Sequence, residues 1–565
     1  MAPQDATMFW LSARTRNDLF LVYSFADAGV PTDALRAAVA ARSARIPDLR
    51  VRLREAPADL AYPSWVPGEF SADQFVEHRL PGPDWAAVET ALGDLLATGV
   101  DARVHPWRLH VFRGVAGAPM RGSDEELAIV VVLQMSHALA DGKRAAVIAR
   151  ELFGAGAGRS SAVDGGTAGR GADVAVAGGA GQADEAAARG GGQADEAAAG
   201  KGGQADEAAA RRAGQADEAA ARKGGQADGV GHEADRLESE LGGCRRVDEP
   251  IGRAGSGVRW IGIPAAFGAG AELITRLWDS AFLDAVRGAV RIPAGMVNTA
   301  VRGYGAYRAQ TELARLTEVG QVPPPGPGFA PSMVNKGGAE GVIDHRARMI
   351  VCTADELRVP GRTITVVVLT AVSVALAEYL AAHGEPADQL GAQVPMALPE
   401  SDKTLSHNNY RSLGIDLFVD EPDLRVRADR IAAALADRRL RAQHPLLSAQ
   451  DRVTAVTPAP ILRRDVDRYP IDTVPDSIAG HTVVSSVDRG PADLSFGGGP
   501  VRCTGGFPAL GAVMHLTHGV HGLGDTVTVS VHADAAVVPD VDEYANLLRA
   551  ALREVSAALG EGGDH

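Results

Sequence analysis

The apolar run Leu127–Leu133 (LAIVVVL) is the clearest pattern in the first third of the chain. Consecutive branched residues of this length predict a strand buried on both faces. The run ends in a polar turn, Ser136-His137-Ala138-Leu139-Ala140-Asp141-Gly142. A helix follows, with Val147, Ile148 and Leu152 as its apolar positions. Upstream, Leu19–Phe25 reads as a short strand. Thr32–Ile46 reads as a helix, with Leu35, Ala38, Val39 and Ile46 on one face and Pro47 as its stop. Asp84–Thr98 predicts another helix with Val88, Leu92, Leu95 and Leu96 inward. Leu109–Phe112 predicts a strand that pairs with Leu127–Leu133 as a hairpin, through the loop Arg113–Glu126.

After Gly154 the pattern changes. Gln182, Gln193, Gln204, Gln215 and Gln226 recur with a period of eleven, each inside GQAD. No repeat position holds a large apolar residue, so nothing can be buried to offset the entropy of ordering. Residues 154–257 are therefore expected to be a low-complexity, disordered insertion. Patterning resumes with helices over Ala271–Val290 and Val297–Leu316, and Pro323–Pro331 reads as a linker. Further on, Ala347–Cys352 predicts a strand and Thr363–Leu380 a buried helix. Leu413, Ile415, Leu417 and Val419 alternate, and Pro422–Arg438 is helical. Val483–Val487, Val513–Leu516 and Thr526–His532 predict strands. Asp540 caps a last helix that runs to Leu559. The expected organisation is an N-terminal half (1–153), the insertion (154–257), a helical connector (258–325) and a C-terminal half (326–565), both halves mixed α/β.

Composition narrows the function. The chain has 565 residues, 46% of them hydrophobic, enough for more than one sizeable core. A net charge of −15 argues against nucleic acid as a partner, because phosphate binding needs clustered cations. Cys244, Cys352 and Cys503 are far apart and form neither a disulfide framework nor a metal-binding pair. The N-terminal residues lack the basic and apolar regions of a signal peptide. The longest apolar stretch, Ile364–Ala377, falls short of a bilayer span. A soluble cytoplasmic location is expected, with peripheral contact to a membrane or lipid inclusion.

The chemistry centres on His137. A strand buried on both faces delivers its last side chains to a fixed place, and here one of them is an imidazole. Asp141 follows four residues later, then Gly142. A neutral imidazole held rigidly suits a general base. Two other constellations weigh little. His515, His518 and His521 are three apart but lead into a strand, so no metal site is expected. Ser136, His137 and Asp141 are too close in sequence for a hydrolase triad, and no GxSxG elbow is present.

Several segments together resemble the wax ester synthase/acyl-CoA:diacylglycerol acyltransferase family, of the group that shares an HHxxxDG motif. The segments are PQDATMFW near the N-terminus, Trp65–His78, His105–His110, Ser136–Gly142, the run from Val394 to Asp423, Val483–Pro491, and the closing run from His521 to Leu552. The resemblance implies two chloramphenicol-acetyltransferase-like halves forming a pseudo-dimer with a central tunnel. It implies an O-acyltransferase that moves a long acyl chain from acyl-CoA to the hydroxyl of diacylglycerol or a long-chain alcohol. Acyl-CoA would be a substrate, and no cofactor is implied. His137 matches the family's catalytic base. Asp141 and Gly142 match its structural turn, with Asp141 expected to pair with a buried arginine. Ser136, Trp107 and Asn409 are expected on the substrate side.

Three positions depart from the family pattern. Ser136 replaces the first histidine of the motif, Thr365-Val366 replaces an Asn-Asp pair, and Ser486 with Asp488-Arg489 alters the SNVPGP-like stretch. These leave an alternative: a weakened or inactive paralogue that binds lipid or acts as a scaffold on the same fold.

Overall fold

The computed structural model describes residues 1–154, 270–337, 343–399, 406–471 and 473–560, with side chains from residue 281 onward in the segment that begins at 270. The repeat insertion and Cys244 lie outside the described residues.

Among the described residues, two mixed six-stranded sheets organise the fold. In chain order the strands are β1 (Leu19–Ala26), β2 (Val51–Arg54), β3 (Ser64–Pro67), β4 (Phe75–His78), β5 (Trp107–Val115), β6 (Ala128–Met135), β7 (His345–Thr353), β8 (Gly391–Ala397), β9 (Tyr410–Asp416), β10 (Thr482–Asp488), β11 (Ser495–Phe496), β12 (Gly499–Gly506), β13 (Leu516–Leu523) and β14 (Thr526–Asp534). The first sheet runs β11-β12-β1-β6-β5-β4 and the second β7-β14-β13-β10-β8-β9. A small β2-β3 ladder stands apart. The main helices are α1 (Pro3–Ser12), α2 (Thr32–Ser43), α3 (Trp85–Leu96), α4 (Gly142–Phe153), α5 (Gly270–Glu318), α6 (Ile364–Ala382), α7 (Leu424–Ala442), α8 (Ser448–Thr454), α9 (Ala459–Arg468) and α10 (Val541–Gly560).

All eight residues of β6 are buried, as the apolar run predicts. Ile129, Val131, Leu133 and Met135 enter one core cluster, and Val130 and Val132 enter another on the opposite face. This is the period-two geometry of a central strand. The antiparallel partners are β5 and β1, so the expected hairpin forms. Asp540 caps α10 as expected, accepting the Glu543 N–H at 2.9 Å. Helix α6 is long and apolar enough to cross a membrane, but 67% of its most apolar window is buried inside the protein. It packs against α7, α10 and the second sheet, which explains why its apolar side chains surround it rather than form one stripe.

Several elements differ from the sequence reading. The two helices expected on either side of Pro293 are one 49-residue helix, α5. The helix runs unbroken through Pro293. The strand placed at Val513–Leu516 begins at Leu516 and continues to Leu523. Its glycines, Gly519 and Gly522, hide it from an alternation search, and Gly519 is needed for close approach. A Cβ on Gly519 would lie 2.3 Å from the Gly506 carbonyl oxygen of β12. The alternation Leu413–Val419 is cut at Asp416, and Phe418 takes a positive φ of 49°. Strands β11 and β12 come from the C-terminal part of the chain yet complete the first sheet, with β12 paired to β1. The halves are joined again where α3 lies on β7: a Cβ on Gly93 would be 2.6 Å from the His345 carbonyl oxygen.

Candidate active site

Strand β6 ends at Met135, and the next six residues form a buried loop. Ser136 donates its N–H to the Pro106 carbonyl at 2.8 Å, which extends the pairing with β5 by one bond. Its hydroxyl accepts the Ala138 N–H at 3.3 Å, and its carbonyl accepts the Leu139 N–H at 2.9 Å. The residue that departs from the family motif therefore shapes the turn. His137 is 1% exposed. Its ring stands 6.4 Å from that of Tyr410, centre to centre.

The loop is gripped from the C-terminal half. Asn408 donates its side-chain N–H to the His137 carbonyl at 2.8 Å. Asp141 donates its N–H to the His407 carbonyl at 3.1 Å. His407 Nδ1 lies 2.9 Å from the Leu139 carbonyl, which can only accept, so Nδ1 carries a proton there. Asp5, 1% exposed in α1, holds this second loop in turn. Its carboxylate accepts the Ser406 hydroxyl at 2.8 Å, the backbone N–H groups of His407 and Asn408 at 3.0 Å, and the Asn408 side chain at 3.0 Å. A buried carboxylate with this many donors is well compensated.

Asp141 caps α4 by accepting the Arg144 N–H at 2.9 Å. Burial raises its pKa above the usual carboxylate range, while the Arg144 and Asn409 N–H groups and nearby His137 pull it back. Among the described residues its carboxylate is held by backbone amides, not by the arginine expected from the family. Arg144 turns its guanidinium to Asp48 instead, at 2.6 Å. Gly142 opens α4 directly after this cap. At its far end α4 is fixed by Arg150, which donates to the carbonyls of Arg489 and Pro491 and pairs with Asp493 at 2.5 Å.

Two residues expected on the substrate side make contacts within the protein. Trp107 is fully buried, donates to the Leu49 carbonyl at 3.1 Å and stacks on Phe70, so it belongs to the core. Of the Asn408-Asn409 pair, Asn408 reaches the motif with its side chain. Asn409 contributes its backbone N–H, and its side chain lies 3.4 Å from the Leu398 and Pro399 carbonyls. The only hint of Asn408 and Asp5 in the sequence was that both lie in family-like segments.

The altered motif positions are also accommodated. The Thr365 hydroxyl at the start of α6 donates to the Ser486 hydroxyl at 3.1 Å, so two of the replaced positions bond to each other. Arg489 is 4% exposed, donates to the Thr504 hydroxyl at 2.6 Å and lies 5.3 Å over the Tyr23 ring. It ties the C-terminal half to β12 and β1.

Behind the site, Gln134 donates to Asp18 at 2.8 Å and lies 2.9 Å from His110, which lies 2.8 Å from His78. Burial raises Asp18 to about 7 and lowers His110 to about 4. Beside the site, Ala138 joins an apolar cluster with Met8, Phe9, Trp10 and Leu53, against which Tyr62, Trp65, Tyr410 and Leu462 pack. A separate cavity of about 630 Å³, lined by Glu385, Asp388, Asp416 and His481 among others, lies at the end of β9 away from Tyr410. That places it roughly 20 Å along the strand from the His137 side.

The histidines of the HxxHxxH run have separate surroundings. His515 Nδ1 meets Asp534 at 3.0 Å, and His518 is bound between Thr482 and Tyr544. His518 and His521, three apart, fall on opposite faces of β13. Among the described residues no group of His, Cys, Asp and Glu is arranged to hold a metal.

The sequence matches the wax ester synthase/diacylglycerol acyltransferase catalytic domain over residues 1–247 and the C-terminal domain of the same family over 408–556. Together the two matches span more than half of the chain. The protein belongs to the wax ester synthase/diacylglycerol acyltransferase family, a family of acyl-transferring enzymes. Its fold is similar to the wax ester synthase/diacylglycerol acyltransferase from Marinobacter aquaeolei VT8, at 15% identity and a TM-score of 0.49, covering 99% of this chain and 98% of that one. It is also similar to the starter condensation domain of rhizomide synthetase, a mutant of which was solved with C8-CoA, at 12% identity and a TM-score of 0.46, covering 99% and 94%. No curated protein matches the sequence.

Proposed function

We propose that the protein transfers a long-chain acyl group from acyl-CoA to the hydroxyl of a lipid alcohol, either diacylglycerol or a long-chain alcohol, with His137 as general base. One observation supports this above the rest. His137 is buried at the end of a rigid strand, beside an apolar cluster, with its backbone fixed from the other half of the protein. Rigid placement of the base is what general-base catalysis needs.

In this reading the neutral imidazole takes the proton of the acceptor hydroxyl. The oxygen attacks the thioester carbonyl carbon and a C–O bond forms. The tetrahedral intermediate collapses, the C–S bond breaks, and the imidazolium returns the proton to the CoA thiolate. Ester and free CoA leave, and the histidine is neutral again. Asp141 and Gly142 hold the turn and do not move protons, and Ser136 shapes it. The apolar side chains around Tyr410 and Trp10 suit a long acyl chain, since each buried methylene contributes about 0.8 kcal/mol. Acyl-CoA enters as substrate, and a tunnel between the halves, as in the family, would bring it to His137.

The test is a thioester assay with long-chain acyl-CoA and each acceptor in turn. Ester and free CoA should appear in equal amounts with the unaltered protein. If no ester forms above a His137→Ala control with either acceptor, the proposal is wrong.

A further inference from the structure

Helix α5 turns its apolar side chains outward. Phe282, Val290, Val297, Val301 and Tyr304 are 65%, 74%, 63%, 65% and 66% exposed. At about 100° per residue they fall within an arc of about 100° on one side of the helix. From Phe282 to Tyr307 the stripe runs roughly 38 Å. The opposite side is packed through small residues. A Cβ on Gly288 would lie 2.0 Å from the Leu60 carbonyl oxygen, and one on Gly295 would lie 2.8 Å from Pro458. Ala306 and Ala309 cluster with Ala449 of α8. The usual surface helix is apolar inward and polar outward, and α5 reverses this.

The charge along the same stretch bears on what could cover the stripe. From Phe282 to Arg308 there are four arginines, Arg287, Arg291, Arg302 and Arg308, and one carboxylate, Asp284, in a chain whose net charge is −15. Arg291 and Arg308 are exposed. Arg287 lies 3.8 Å from Asp284, and Arg302 donates to the Arg452 carbonyl at 3.3 Å. A long apolar stripe bordered by cations is the pattern of a helix that lies in the plane of an anionic lipid surface. A second copy of the chain fits less well. A two-fold pairing would put arginines against arginines, with only Asp284, already paired with Arg54 at 2.8 Å, to separate them.

We propose that the outward face of α5 docks the protein on an anionic lipid surface. The stripe lies in the headgroup region and the arginines reach lipid phosphates. This extends the acyl-transfer reading, because both candidate acceptors are lipids held at such surfaces.

The test is flotation of the full chain with vesicles, scored without substrate or turnover, so that it stands or falls separately from the acyl-transfer assay. The vesicles are phosphatidylcholine alone, or phosphatidylcholine with about a quarter phosphatidylglycerol. The unaltered protein should float with the anionic vesicles and lose binding in high salt. The triple variant Val290→Glu, Val297→Glu, Val301→Glu should lose binding by about tenfold or more. The variant Arg287→Gln, Arg291→Gln, Arg308→Gln should lose the preference for anionic vesicles. Melting curves of both variants check that they fold. Equal flotation of the glutamate variant and the unaltered protein overturns the proposal. So does a concentration-dependent dimer that the glutamate variant abolishes, since a second copy then covers the face. Binding seen only after removal of residues 155–257 also overturns it, since the insertion then covers the face.

Discussion

The motif loop and the outer helix invert the ordinary distribution of polar and apolar groups in opposite senses. At Ser136–Asp141 the polar groups are inside. The loop carbonyls and Asp141 are met by donors from Asn408, His407, Arg144 and Asn409. Along α5 the large apolar groups are outside, and nothing among the described residues covers them. Burying polar groups is tolerable when each finds a partner, and it then yields a rigid site. An exposed apolar stripe of this length marks a face that something else covers. The first inversion is resolved within the fold, and the second points to a surface beyond it.

The largest expected effect comes from removing the imidazole. His137→Ala should cut ester formation by about 10² to 10⁴ fold in the thioester assay, with little change in melting temperature. Asp5→Ala should come next. It removes the acceptor for at least four donors at a site 1% exposed, leaving several of them buried without a partner. A cost of about 3 kcal/mol or more is expected in urea unfolding, with loss of turnover, while Asp5→Asn should be milder. The asparagine pair gives a sharper test. Asn408→Ala should cost about 1–3 kcal/mol and lower turnover, because it frees the His137 carbonyl. Asn409→Ala should cost less, because its backbone N–H is the part that reaches Asp141. If Asn409→Ala is the more damaging, the assignment of the grip to Asn408 is wrong.

The pH dependence of stability has a defined sign. Asp18 is held at about 7 in the fold against an ordinary value near 3.8, so its contribution falls as pH rises from about 4 to about 7. His110, His518 and His532 are held at about 4, about 4 and about 3. Being neutral in the fold, they lose stability as pH falls below about 6.5. The two trends oppose each other in the same window. Asp18→Asn should remove the first and steepen the loss of stability between about pH 6.5 and 4, read by urea midpoints. The smallest effect belongs to α5. The outward glutamate substitutions should change unfolding stability by about 0.5 kcal/mol or less, because those side chains touch little of the fold.

Much of the N-terminal half was legible in the sequence. Strand β6, its hairpin with β5, and helices α2 and α3 follow patterns set by neighbours in the chain. The family was legible too, because its segments occur in order along the chain. The misses share one cause. Strand β13 carries Gly519, which makes sense only against β12, and the union of the two expected helices into α5 is visible only in the fold. The sequence points to Asn409, and only the fold shows that Asn408 gives the His137 loop its side chain while Asn409 gives Asp141 its backbone N–H.

The sequence by itself determined where the buried strand ends and that an imidazole, a carboxylate and a glycine follow it, because burial and turn chemistry are local properties. It also carried the apolar and arginine content of α5. Only the tertiary structure decided that Asp5 and Asn408, some four hundred residues apart, hold the His137 loop, and that α5 faces its apolar side outward. Those facts depend on which surfaces meet, and no periodicity along a single chain encodes that.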